Sequence, residues 1–259
     1  MEQRLYLAVE KGDVEEVKEI LRSHPHLSGT WKNEQFHGAT ALQLACLKGH
    51  LSIVSVLLAH PPIDVNLKDR EGWTPFMSAT IYGYAPACRL LLRDYRVQVN
   101  EPGRDGSTPL FWAATMGRLD TIRRWIASGR EMDLGQSGDE KTDAIGKAKA
   151  MNKKELGSLL ERFKENPEEV RHALRMELCW YDEAAAEVYA LVVFVSDGLL
   201  QVTQGDQSTP IPAARLFSIA TQLPLELQMV LCHRLVGSSR EIIPAVESEM
   251  AFKHLAKKI

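Results

Sequence analysis

Two sets of glycines recur at one interval through the first half of the chain. Gly38, Gly72 and Gly106 stand 34 residues apart, and Gly49, Gly83 and Gly117 keep that interval eleven residues downstream. A unit of this length cannot bury its own apolar face, so a fixed period confines the chain to a stack in which each unit covers its neighbours. The two glycine positions also divide each unit into a turn, a first helix and a second helix.

The first glycine is followed by Thr40-Ala41-Leu42, Thr74-Pro75-Phe76 or Thr108-Pro109-Leu110. Threonine caps a helix start, and proline suits the first turn because its φ is already helical and its missing N–H had no partner there. The second glycine supplies the positive φ that ends this helix and reverses the chain. Apolar residues then return at spacings of three and four, as in Leu51, Ile53, Val54, Leu57 and Leu58, in Ala87, Cys88, Leu91 and Leu92, and in Leu119, Ile122, Trp125 and Ile126. That is the pattern of a helix with one buried face. Each unit closes on a turn, Asp64-Val65-Asn66, Val97-Gln98-Val99-Asn100 or Met132-Asp133-Leu134.

Together these features resemble the ankyrin repeat family, whose marks are a Thr-Pro-Leu-His turn, a Gly-His break and an Asp-Val-Asn ending. Leu5 to Gly12 reads as an earlier repeat with a degraded turn, and Ala144, Ile145 and Ala148 through Leu156, Leu159 and Leu160 read as a later one. About five repeats, atypical at the ends as capping units are, are therefore expected over residues 1–166, and the expected fold class is all-α: an ankyrin-repeat solenoid with a C-terminal helical bundle. Gln43, Met77 and Phe111 replace the histidine of the family turn, so the bonds this histidine makes between repeats are expected to be missing. Trp112 fills a position that the family gives to leucine.

Partners in this family are held by the turn tips and by the inward face of each first helix. The resemblance carries this to Phe36, His37, Ala39, Leu47 and Lys48 in the second repeat, to Arg70, Glu71, Trp73, Ile81 and Tyr82 in the third, and to Arg104, Asp105, Ser107, Thr115 and Met116 in the fourth. Large apolar side chains at such places mark protein interfaces. Trp73, Tyr82 and Met116 are expected to form an apolar centre rimmed by Arg70, Glu71, Arg104 and Asp105. For Trp73 and Ile81, packing between repeats explains the residue types equally well; the Tyr82 hydroxyl favours a half-wet position.

No 34-residue phase continues beyond Asn166-Pro167, so a second unit is expected over residues 167–259. Helices are expected from Pro167 through Trp180, across Ala184 to Leu191 into the run Val192 to Val195, and over 213–221, 225–236 and 246–257, with a turn at 204–210. The simplest arrangement is a small bundle docked on the last repeat. Leu223-Pro224-Leu225-Glu226-Leu227 with Leu231 and Leu235 resembles the opening helix of the F-box, a module that docks substrate receptors on cullin-type ubiquitin ligases. It implies a ligase substrate receptor as the alternative function. An ordinary helix start with proline in its first turn accounts for the same residues.

Composition adds mostly exclusions. A net charge of -3, from 31 basic and 34 acidic residues, gives no excess that would attract nucleic acid. The basic run Lys147, Lys149, Lys153 and Lys154 is offset by Glu155, Glu161 and Glu165 and reads as a solvated face. Cys46, Cys88, Cys179 and Cys232 form no Cys-x-x-Cys pair, which favours buried reduced thiols, with Cys179 in the core. There is no Gly-x-Ser-x-Gly elbow, phosphate loop or His-Glu-x-x-His, and Cys232 and His233 are adjacent on a helix, so their side chains diverge. His24 and His26 read as a solvated pair. The expectation is a non-catalytic, cytoplasmic or nuclear interaction module that holds an unidentified protein partner, with no cofactor, metal, small-molecule ligand, nucleic acid or membrane span.

Overall fold

The computed structural model of the 259-residue chain describes residues 1–134, 142–196, 220, 225–236 and 251. Five helix pairs follow one another: α1 (Glu2–Lys11) with α2 (Val14–Ser23), α3 (Ala41–Lys48) with α4 (Leu51–Leu58), α5 (Pro75–Tyr82) with α6 (Ala85–Arg93), α7 (Pro109–Met116) with α8 (Leu119–Ser128), and α9 (Ala144–Ala150) with α10 (Lys154–Glu165). The first helices pack in order, α1 on α3, α3 on α5, α5 on α7 and α7 on α9, and α2, α4, α6 and α8 do the same in a second layer. All-α ankyrin-type architecture is thus what the glycine period specifies.

Local chemistry sets each pair. Thr40, Thr74 and Thr108 accept hydrogen bonds from the backbone N–H of Gln43, Met77 and Phe111 at 3.1–3.3 Å, satisfying donors that a helix start leaves open. Gly49, Gly83 and Gly117 sit at φ 69–76° and close the same helices. In the fifth pair Asp143 caps α9, while Asn152, at φ 56°, takes the left-handed turn without glycine. The middle first helices lie between two neighbours and are buried almost all round: six of the eight residues of α3, and all of α5 except Tyr82.

Gln43 corrects one expectation. Its Oε1 accepts from the Thr40 N–H at 2.7 Å, and its Nε2 donates to the Trp73 carbonyl of the next repeat at 2.6 Å. A planar amide presents a donor and an acceptor on neighbouring atoms, so it makes the inter-repeat bond whose loss the missing histidine implied. Asn66 acts likewise, donating to the Arg96 carbonyl at 2.8 Å and accepting from the Gln98 N–H at 2.8 Å.

Arg96 and Arg130 are a further pair 34 residues apart. Arg96 donates to the carbonyls of Leu58 and Pro61, at the end of α4, and Arg130 to those of Leu92, Asp94 and Val97, at the end of α6. Asp94 orients Arg96 through both carboxylate oxygens. Burial opposes the Asp94 charge, but hydrogen bonds from Arg96 and the positive charges of Arg96 and Arg130 outweigh it and hold the carboxyl below its ordinary value of 3.8. A carboxyl depressed by folding stabilises the fold above its unfolded value, and this contribution disappears as pH falls through the lower folded value. Asp94→Asn is expected to lose about 1–3 kcal/mol at neutral pH and to flatten the acid limb of stability below about pH 4, read from urea midpoints over a pH series.

The chain divides into two compact units, Met1–Leu174 and Arg175–Ile259. α11 (Pro167–Glu177) crosses the division and buries Val170 and Leu174. In the second unit α12 (Trp180–Ser196) packs on α13 (Leu225–Leu235) around Ala185, Ala186, Ala190 and Cys232. Alanine on the shared face lets the backbones approach, and it carries the helix through the β-branched residues Val192, Val193 and Val195. The expected turn at 204–210 and almost all of the expected helices 213–221 and 246–257 lie outside the described residues.

Candidate partner-binding surface

Lys48, Tyr82 and Met116 are the last residues of α3, α5 and α7, one repeat apart and in the same register. Tyr82 is 50% exposed and Met116 42%, well above what packing would leave. Leu47 and Thr115, one residue earlier, are half-buried, whereas Ile81 is only 6% exposed and its carbonyl accepts from Arg118 Nε at 2.8 Å. Of the two readings open for Ile81, the core one describes its position.

Trp73 stands apart from this row. It precedes the Thr74 cap of α5, while Tyr82 ends that helix, so eight residues at 1.5 Å rise put roughly 12 Å of helix between them. The apolar centre expected of Trp73, Tyr82 and Met116 therefore splits in two. Trp73, half-buried, lies against Gly103 of the next turn and near Met77. Tyr82 instead faces Tyr84, with ring centroids 6.4 Å apart and planes tilted by 31°. Tyr84 escaped the sequence reading; its signal is its place immediately after Gly83, a position His50 and Arg118 hold in the flanking repeats.

These positions after the second glycine behave as a set with one exception. The His50 ring, the Arg118 side chain and, in the fifth repeat, the Lys153 side chain lie across the glycine of the preceding repeat, within about 3 Å of where a Cβ would stand on Gly12, Gly83 and Gly117. Tyr84 does not follow them: nothing lies within 4 Å of that point on Gly49. An uncovered backbone step is thus left between Lys48 and the tyrosine pair.

The turn tips form the other end of the surface. Phe36, His37, Arg70, Glu71, Arg104 and Asp105 are all exposed. The Arg70 N–H donates to the His37 carbonyl at 2.9 Å and the Arg104 N–H to the Glu71 carbonyl at 3.1 Å, which locks successive tips in a row. Charges alternate along it: Arg70 pairs with Glu34, and His37 Nδ1 lies 3.9 Å from Glu71. Burial pushes the Asp69 carboxyl above its ordinary range, even though the Trp73 and Glu71 N–H groups donate to it. Ala39 and Ser107 are buried beneath the tips.

Other sequence candidates lie elsewhere. His24 bonds the Ile20 carbonyl at the end of α2, and His26 is exposed. Cys46, Cys88 and Cys232 are buried free thiols; burial raises all three, Cys88 to about 12 and Cys232 to about 11, whereas Cys179 is half-buried at φ 52° and not part of the core. Lys149 pairs with Glu161, and Lys147 lies over the Phe111 ring at 5.2 Å. Leu223 and Pro224 fall outside the described residues, and of Glu226 and Leu227 only the helical backbone is described. Leu231 packs on the α12–α13 core and Leu235 is exposed. Among the described residues no group of three or more His, Cys, Asp or Glu could hold a metal ion, and no helix is long and apolar enough to cross a membrane.

Comparison with known proteins agrees with the helix pairs. The family described as Ankyrin repeats (3 copies) matches residues 5–102 and again 62–136, which together make up about half of the chain. The chain belongs to the ankyrin repeat family. It is 52% identical over 44 residues to the ankyrin repeat protein YahD of Escherichia coli, a stretch covering 17% of this chain and 22% of YahD. Human SMC5-SMC6 complex localization factor protein 1 is 42% identical over 57 residues, 20% of this chain and 5% of that protein. Ankyrin repeat domain-containing protein 13C-A of Xenopus laevis is 34% identical over 73 residues, 28% of this chain and 13% of its own length. The matched segment thus spans less than a quarter of each of these curated relatives.

Proposed function

We propose that the chain is a non-catalytic interaction module that holds a partner protein on the concave surface running from the C-terminal ends of α3, α5 and α7 to the turn tips at the opposite ends of those helices. The half-exposed pair Tyr82 and Met116 carries this reading. Two large apolar side chains in equivalent places on adjacent repeats leave an apolar strip that folding alone does not require, and such residues anchor interfaces when a partner excludes water from them. Arg70, Glu71, Arg104 and Asp105 supply a polar rim at the turn tips, Phe36, His37, Leu47 and Lys48 extend the surface toward the second repeat, and Ile81 serves it from beneath. Membership of the ankyrin family supports the same use.

A ligase substrate receptor would need an adaptor-binding helix at residues 223–235. That idea rests on the sequence of those residues alone, so the repeat surface is the reading we adopt. Tyr82→Ser with Met116→Ser is expected to leave the melting temperature within a few degrees of the parent, since neither side chain is buried, and to weaken partner capture at least about tenfold. Unchanged capture with an intact fold would dismiss this surface. Capture by the full chain compared with residues 1–166 shows whether the second unit brings a partner of its own.

A further inference from the structure

Charge is distributed unevenly along the first helices of the middle repeats. Residues 38–63, 72–93 and 106–119 contain no aspartate or glutamate. The turn-tip end of the surface mixes Glu34, Glu71 and Asp105 with Arg70 and Arg104, whereas the opposite end, around the second glycines, presents Lys48, His50 and Arg118, continued by Lys153, around Tyr82, Tyr84 and Met116. Among the described residues, the carboxylates nearest this edge in the chain are Glu10 and Asp13 before it, Asp120 beside Arg118, and Glu155 after Lys153. Asp13 of the first repeat is engaged as the cap of α2, accepting from the Glu16 N–H at 2.9 Å; Glu10 is half-buried on α1, its carbonyl accepting from Lys48 Nζ at 3.2 Å; and Asp120 and Glu155 lie in the first turns of α8 and α10. Lys48, Arg118 and Lys153 outnumber the single nearby Asp120 and give this edge an excess of positive charge, which favours an anionic partner because opposite charge best compensates their desolvation.

The spacing narrows what fits. Packed helices stand about 8–10 Å apart, so Lys48 and Arg118, two repeats apart, are separated by roughly 20 Å, the reach of about six extended residues. Midway lie the Tyr82–Tyr84 pair and the uncovered step at Gly49. We propose that this edge takes an acidic peptide segment of the partner, in which carboxylates near each end of about six residues meet Lys48 and the Arg118–Lys153 pair, and one aromatic or aliphatic side chain between them seats against Tyr82 and Met116. This deepens the partner-binding reading above and rests on it.

The test is a displayed library of random peptides selected on the full chain at low salt, with synthetic copies of the winners titrated by fluorescence anisotropy. Winners rich in Asp and Glu on either side of an apolar residue are expected. Lys48→Glu with Lys153→Glu, both exposed positions, should weaken them about tenfold or more, and physiological salt should weaken them on the parent but not on that variant. Circular dichroism melts check that the variants fold. A selection that yields no acidic enrichment, or winners indifferent to the charge reversal, overturns the inference while leaving the surface standing if Tyr82→Ser with Met116→Ser still abolishes binding. Winners indifferent to that second variant overturn the surface itself. Single-stranded RNA of mixed sequence bound through Lys48 and Lys153 more tightly than any selected peptide also overturns the inference.

Discussion

Trp125→Ala is expected to destabilise the repeat unit by about 3–5 kcal/mol, the range for removing a fully buried aromatic, and no other single truncation in the stack should exceed it. Trp125 is fully buried in α8 and meets Phe76 of α5 edge to face, with centroids 4.9 Å apart and planes at 89°. The contact joins the third and fourth repeats, and in a stack where each unit is stabilised by its neighbours the lost interface weakens both. Its indole N–H is buried without an acceptor. Trp125→Phe removes that donor and retains a ring, so it is expected to cost less than half as much. Urea unfolding followed by far-ultraviolet circular dichroism measures both. A loss below about 1 kcal/mol for Trp125→Ala would mean that the two repeats are not coupled through this ring.

The second large effect is a contrast between two glycines of the same period. Gly72 has φ 79°, and a Cβ there would stand 2.8 Å from the backbone nitrogen of Arg104 and 3.3 Å from the carbonyl carbon of Gly103. Backbone cannot step aside as a side-chain tip can. Gly72→Ala therefore combines left-handed strain of about 1–2 kcal/mol with overpacking of about 1–3, a loss of roughly 2–5 kcal/mol. Gly49 has φ 69° but nothing within 4 Å of its Cβ position, so Gly49→Ala should cost only the strain, about 1–2 kcal/mol. Equal losses for the two would show that the contact with the next turn does not constrain the stack. Gly49→Ala also probes the uncovered step, since a methyl group there protrudes into the space beside Lys48.

The repeats were legible because their signals are local. A threonine that caps the residue three positions on, and a glycine that must take positive φ, are decided within one turn of helix, and each is repeated at Thr40, Thr74 and Thr108 and at Gly49, Gly83 and Gly117. What the sequence hid depends on a neighbour one repeat away. Gln43 was read as a lost histidine because its acceptor, the Trp73 carbonyl, is known only once two turns are placed side by side. Arg96 and Arg130 keep the period as faithfully as the glycines, but their targets are helix-end carbonyls in another unit. Lys48, Tyr82 and Met116, which the resemblance to the family singles out, share one register at the ends of α3, α5 and α7. Trp73 was grouped with them because proximity in sequence concealed that it sits at the other end of α5, and Ile81 because exposure changes by half between neighbouring residues of one helix. Tyr84 was missed because each repeat fills that position with a different chemistry.

The arginine ties run in one direction. Arg96 completes the end of α4 and Arg130 the end of α6, each from the repeat that follows in the chain. During synthesis the second and third repeats therefore leave the ribosome with those carbonyls open, and each is finished only by a residue translated a full repeat later. Maturation of the middle of the stack is in this sense retrospective: the third repeat seals the second and the fourth seals the third, and a nascent chain halted between the two arginines carries one unsealed repeat at its growing end.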